Sequence, residues 1–153
     1  MKGISENKKI LIYGFGNPGR QDDGLGPAVI ERLESEGVAG IVTDCNYQLN
    51  IEDAIFVSEH DIVVFVDASI DAVAPFSFAK TGPSVDITFT THSMSPESVL
   101  ALCADLYGKN PEAYVLGIRG YEFDFETALT PEAEENFYRA YSFLTAWLRE
   151  TCS

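Results

Sequence analysis

The chain has 153 residues, enough for one domain with a sizeable core. Hydrophobic residues make up 46% of it and the net charge is −14, which excludes a disordered chain and argues against a sequence-nonspecific grip on nucleic acid, since that needs phosphates neutralised by Lys and Arg. The same acidity argues against an anionic membrane surface. No apolar run is long enough to span a bilayer, and residues 1–9 lack the apolar stretch of a signal peptide. The three cysteines, Cys45, Cys103 and Cys152, are widely spaced and form no CxxC. That usage suits a reducing compartment, so a cytoplasmic protein is expected. Cys45 and Cys103 lie in apolar stretches and read as core.

In chain order, residues 1–7 are polar and expected to fray. Residues 8–13 predict a buried strand ending in Ile10-Leu11-Ile12-Tyr13. A glycine-rich loop follows, and then a first helix from Leu25 or Pro27 to Glu36, with Gly37 as its stop. Residues 40–45 predict a second strand. Asn50 is placed to cap a helix over Ile51, Ala54 and Ile55. Residues 61–67 form a nearly continuous β-branched run, as expected for a strand buried on both faces.

Residues 72–83 hold prolines and a glycine and show no helical period. Val85-Asp86-Ile87-Thr88-Phe89 alternates with period two. With no helical crossover before it, this strand is expected to run antiparallel, at or near a sheet edge. Ser95 caps the next helix, with Pro96 at its first position and Glu97 near the positive end of its dipole. Val99, Leu102, Cys103 and Leu106 make its apolar face. Residues 114–118 predict a fifth strand. Thr130 and Pro131 start the last helix, acidic in its first turns, and Phe137, Tyr141, Leu144 and Leu148 form a core stripe with Trp147 beside it. Alternating strands and helices without a linker predict one domain, residues 1–153, built as a three-layer α/β/α sandwich around a five-stranded mixed, mostly parallel sheet.

The loop Gly14-Phe15-Gly16-Asn17-Pro18-Gly19-Arg20-Gln21-Asp22-Asp23-Gly24-Leu25-Gly26-Pro27 is costly in backbone entropy unless its shape matters. Its neighbouring carboxylates, Asp22 and Asp23, repel unless a cation, a proton or several donors sit between them. Ligands of such sheets bind beyond the carboxyl ends of the strands. Asp23 lies after the first strand, Asp67 ends the third, and His92 lies between the fourth strand and a helix. Singly, each suits a cap or turn. Together, two carboxylates and an imidazole suit a divalent metal with open positions. An antiparallel fourth strand would exit away from that edge, so His92 would have to return along the connecting segment. His60 precedes a strand, at the wrong end, and reads as surface.

Gly14-x-Gly16-x-x-Gly19 invites a dinucleotide reading, with Asp44 on the ribose. Pro18 removes an amide that a phosphate would use, however, and Asp22 and Asp23 place negative charge beside it. The segment Gly14-Phe15-Gly16-Asn17-Pro18-Gly19 also resembles the opening of peptidyl-tRNA hydrolases. Their catalytic histidine follows soon afterwards, whereas here Gln21-Asp22-Asp23-Gly24 contains none.

A third resemblance covers nearly the whole chain. Gly16-Asn17, then Asp22-Asp23-Gly24-Leu25-Gly26-Pro27, Val66-Asp67-Ala68 and Thr91-His92-Ser93-Met94, in this order, resemble the hydrogenase maturation proteases, as do Leu116-Gly117-Ile118 and Leu129-Thr130-Pro131. These are nickel-dependent endopeptidases that trim the large subunit of [NiFe]-hydrogenases. Where many members have an Asp-Gly-Gly-Thr-like turn after the second strand, this chain has Asp44-Cys45-Asn46-Tyr47-Gln48-Leu49, which resembles the branch acting on soluble, cofactor-linked hydrogenases.

The resemblance implies a phosphorylase/hydrolase-like fold and removal of a C-terminal extension from a [NiFe]-hydrogenase large-subunit precursor after nickel insertion. It implies nickel contacts at Asp23, Asp67 and His92, with the ion delivered on the precursor's cysteine thiolates, and substrate contacts at Gly16, Asn17 and Gly24. Either the metal activates the scissile carbonyl or a water, or it marks the docked substrate while Asp22 or Asp23 acts as general base. A monomer without nucleic-acid or membrane partners is expected. A nickel-recognising chaperone that does not cut, or a peptidyl-tRNA hydrolase-like hydrolase, are the alternatives on the same fold.

Overall fold

The computed structural model describes residues 8–84 and 94–152. Five strands form one sheet in the order β2-β1-β3-β5-β4. They are β1 (Ile10–Phe15), β2 (Val42–Asn46), β3 (Ile62–Ser69), β4 (Phe76–Thr81) and β5 (Glu112–Arg119). β1, β2, β3 and β5 are parallel, and β4 runs antiparallel to β5 at one edge. The helices are α1 (Leu25–Ser35), α2 (Asp53–Ser58), α3 (Pro96–Tyr107) and α4 (Pro131–Cys152). A short 3-10 turn, Gln21–Gly24, leads into α1.

Side-chain alternation along the strands divides the core into two layers. Ile10, Ile12, Val64, Val66, Leu116 and Ile118 face α1 and α4. Leu11, Tyr13, Val63, Phe65 and Ala113 face α2 and α3. Covering the sheet on both faces explains why β1 and β3 are almost continuously apolar. The three-layer sandwich and the mixed sheet are as the sequence predicts.

The antiparallel edge strand falls earlier in the chain than expected, in the stretch given no element. Residues 85–89 lie outside the described residues. In β4 the Pro75 and Pro83 positions bound the strand instead of breaking it. Phe78 stacks on Tyr114 at 5.2 Å and meets the edge of Trp147 at 5.3 Å. These α4-side ring contacts hold β4 on β5.

Local corrections follow from packing. α2 spans six residues, and it turns Ala54 and Val57 inward while Ile51 and Ile55 stay exposed. In α3 the inward face is Val99, Leu100 and Cys103, and Leu106 points to solvent. Ser95 caps that helix as expected, accepting from the Ser98 N–H at 3.1 Å. Cys45 is exposed, on an edge strand, and Cys103 is buried. His60 is buried, with its Nδ1 2.8 Å from the Phe56 carbonyl oxygen and its ring edge-on to Phe56.

Close backbone approach sets the junction of β1, β3 and α1. A Cβ added at Gly26 would lie 2.5 Å from the Val66 carbonyl oxygen and 2.6 Å from that of Phe15. One added at Gly14 would lie 2.5 Å from the Gly26 carbonyl oxygen. Helix and strands therefore touch through backbone, with no room for a side chain. Gly26→Ala should destabilise the protein by about 2–4 kcal/mol in urea unfolding, because backbone has to move. Gly82→Ala, where an added Cβ meets nothing within 4 Å, should stay within about 0.5 kcal/mol of the parent.

Candidate active site

The carboxyl ends of β1 and β3 carry the two acidic residues singled out by the sequence. At the exit of β1, Gly16 adopts φ +141°, and its N–H donates to the Asn46 carbonyl at 3.1 Å. This turn brings the chain back on itself, so that a Cβ at Gly16 would overlap the Asp23 carbonyl oxygen. The Asn17 N–H donates to Asp23 Oδ2 at 2.6 Å, and Asn17 Oδ1 accepts from the Gly19 N–H at 2.8 Å. Asp23 is thereby oriented through one oxygen, and the other accepts no hydrogen bond from a described residue.

Asp67 lies near the end of β3, in register with Gly117 of β5. Its carboxyl is pushed up to about 7, first by burial, then by the negative charges of Asp23 and Glu97. No described residue donates a hydrogen bond to it. Asp23 and Asp67 line one pocket of about 240 Å³ together with Gly16, Tyr47, Leu49 and Met94. The Met94 N–H donates to the Leu49 carbonyl at 3.2 Å, which ties the start of α3 to the segment after β2. On the other side of that segment, Asp53 accepts from the Tyr13 hydroxyl at 2.9 Å and from the Asn50 N–H at 2.7 Å. The walls of the pocket are thus fixed by hydrogen bonds.

Asp22 is turned away from this pocket and is fully buried. Its Oδ2 accepts from the N–H groups of Tyr121 and Glu122 and from the Thr130 hydroxyl, and its Oδ1 from the Thr130 N–H, at 2.8–3.1 Å. Its own N–H donates to the Glu122 carbonyl at 3.0 Å. Four donors satisfy a charge that burial alone would make expensive. The adjacent carboxylates therefore do not share a partner, because the 3-10 turn points them in different directions. Gln21, at φ 53°, makes that turn possible.

Of the expected substrate contacts, Gly16 lines the pocket. Asn17 spends its amide and side chain on the turn. Gly24 packs against Pro18 and lines a neighbouring pocket beside α1. His92 lies outside the described residues; Met94, two positions later in the chain, is in the pocket wall. Among the described residues no group of three or more His, Cys, Asp or Glu side chains is placed to hold a metal ion. Asp23 and Asp67 offer oxygen donors only, a weak set for nickel without nitrogen or sulfur partners. The sequence reading missed the charge of Glu97, which it took for a helix-dipole partner, and the wall residues Tyr47 and Leu49, which carry no chemical signature. A larger pocket of about 700 Å³ opens at the amino ends of the strands, around Lys9, His60 and Lys109. Its lining mixes Glu59 and Asp61 with those basic groups, and the Asp61 carboxylate accepts from the Lys9 N–H at 2.8 Å.

Two measurements test these assignments. In the protein alone, Asp67 is protonated below about 7 when folded but only below its ordinary value of 3.8 when unfolded. Its contribution to stability is therefore complete at low pH and is lost as pH rises through about 7. Asp67→Asn should raise stability by about 1–3 kcal/mol at pH 8 and leave it nearly unchanged at pH 4, read from thermal unfolding at both values. Asp22→Asn places an amide NH₂ among donors and should cost about 3 kcal/mol at pH 7; equal stability would remove its assignment as a buried clamp.

No family model matches the chain, and no curated protein matches it. Solved structures do. A hydrogenase maturating endopeptidase of E. coli, HybD, superposes with a TM-score of 0.74 at 21% identity, covering 94% of this chain and 93% of its own. A [NiFe] hydrogenase maturation protease, HycI, of Thermococcus kodakarensis KOD1 gives 0.71 at 20% identity, over 99% and 97%. A hydrogenase 2 maturation peptidase of a Thaumarchaeota archaeon gives 0.68 at 20%, over 92% and 98%. Over nearly its whole length, the chain has the mixed five-stranded α/β fold of these proteins.

Proposed function

We propose that the protein is an endopeptidase that removes the C-terminal extension of a [NiFe]-hydrogenase large-subunit precursor after nickel has been inserted. The observation that carries this reading is the pairing of Asp23 and Asp67 in one pocket at the carboxyl ends of β1 and β3. The end-to-end likeness to solved maturation endopeptidases supports it.

In this reading nickel is part of the substrate and arrives on the precursor's cysteine thiolates. Asp23, Asp67 and His92 complete its surroundings. Asp23, oriented by the Asn17 N–H, presents its second oxygen to the incoming ion. Asp67 holds a proton near neutral pH and gives it up when a cation arrives, because the positive charge offsets both burial and the repulsion from Asp23. Two oxygens and one imidazole bind free nickel weakly, whereas thiolates on the precursor hold it firmly. Cutting is then conditional on a loaded precursor. Water attacks the scissile carbonyl as Asp23 accepts its proton, and the C–N bond then breaks with that proton passing to the leaving amine. Asp22, saturated by Tyr121, Glu122 and Thr130, acts through the position of the loop.

Purified protein mixed with nickel-loaded precursor should shorten the precursor at its C-terminus, read by mass spectrometry. Nickel-free precursor should stay intact, and free nickel added to the protease should not restore cutting. Asp23→Asn, Asp67→Asn and His92→Ala should each lower the cleavage rate by about 100-fold or more without loss of fold. An unchanged precursor mass with the wild-type protein would overturn the protease reading in favour of a chaperone.

A further inference from the structure

The loops that leave β3 and β5 form an exposed apolar surface beside the pocket, and the chain holds it rigidly. Ile70 is 64% exposed, Val73 82%, Tyr121 40% and Phe125 86%. The two loops are joined: the Gly120 N–H donates to the Ser69 carbonyl at 3.0 Å, and Arg119 Nη1 donates to the Ala72 carbonyl at 3.0 Å. The β5 loop is pinned from beneath. Asp22 accepts from the Tyr121 and Glu122 amides, Gln21 from the Asp124 amide, and the Phe123 carbonyl accepts from Arg20. The Gln21 N–H reaches the Glu126 carbonyl at 2.7 Å. The loop backbone is thereby held in place, with Phe123 half-buried and Tyr121 and Phe125 exposed.

Acidic residues alternate with the aromatic ones. Glu122, Asp124 and Glu126 are all exposed. The side-chain ion pairs found among the described residues lie elsewhere, at Arg32–Glu36 and Arg139–Glu135. Arg20 lies over the Phe125 ring at 5.1 Å and Arg119 over the Tyr121 ring at 5.0 Å. Both guanidinium groups donate to backbone carbonyls, so neither is committed to these carboxylates. With Asp71 also exposed on the β3 loop, the surface carries apolar and acidic groups, with carboxylates outnumbering the two arginines that lie over its rings.

We propose that the loops 70–73 and 121–126 are the docking surface for the precursor, and that they take a basic, partly apolar segment of it lying outside the bond that is cut. Charge complementarity selects the segment: carboxylates spaced between exposed rings suit Lys and Arg side chains, whose stems lie on the rings while their charges meet the acids. Preorganisation favours binding, since no loop has to be ordered on contact. The β3 loop starts three residues after Asp67, at the same end of β3 as the pocket. This inference rests on the precursor being the substrate.

The test compares the full-length protein with two double variants, Val73→Ser with Phe125→Ser, and Glu122→Lys with Asp124→Lys. All four side chains are exposed, and thermal unfolding checks that both variants fold. The substrate is nickel-loaded precursor. Each variant should raise KM about tenfold or more while kcat stays within about twofold. Affinity of the wild type should fall with added salt, and the lysine variant should lose that dependence. An active wild type with unchanged KM in both variants overturns the docking surface alone. A wild type that neither binds nor cuts the precursor overturns the surface and the protease reading together.

Discussion

The structure depends on a backbone-to-backbone contact. Gly26, in the first turn of α1, sits against the carbonyl groups of Phe15 and Val66, and Gly14 of β1 sits against Gly26. Helix, β1 and β3 meet there without intervening side chains. Since Asp23 is three residues before Gly26 and Asp67 follows Val66, this approach is what puts two carboxylates from distant parts of the chain into one pocket. Any side chain at Gly26 would push the helix, and Asp23 with it, away from β3.

A second division of labour lies within Asp22-Asp23. Two adjacent carboxylates suggest a shared cation, yet the 3-10 turn sends them to different environments. Asp22 is enclosed by four donors and laces the loop to the β5–α4 segment. Asp23 has one donor and an oxygen facing the pocket. Asp67 has no donor among the described residues, and burial with the nearby negative charges raises its carboxyl to about 7. Among the described residues, hydrogen-bond donors to these carboxylates become fewer from the interior to the pocket.

The order of secondary elements was largely legible in the chain. The β-branched run of β3, the Ser95-Pro96 cap and the Phe137-Tyr141-Leu144-Leu148 stripe are local signals, and each reports burial directly. Less legible were elements whose stability comes from elsewhere. β4 is held by rings on β5 and α4, so its own residues looked like a proline-bounded connection. Ile51 and Ile55 have helical spacing, but Ile51 precedes the short α2 and both stay exposed, and Cys45 is exposed because β2 is an edge.

The sequence by itself determined the layered α/β architecture and the position of Asp23 and Asp67 at the carboxyl ends of strands, because periodicity and position along a strand are properties of neighbouring residues. Only the tertiary structure decided that Asp22 is a clamp, that Glu97 acts on Asp67, and that residues 70–73 and 121–126 form one surface. Those facts depend on contacts between segments far apart in the chain, such as Asp22 with Thr130, and on which way a single turn points a carboxylate. Neither a spacing nor a composition carries that information, since the same two aspartates in another turn would face each other across one site.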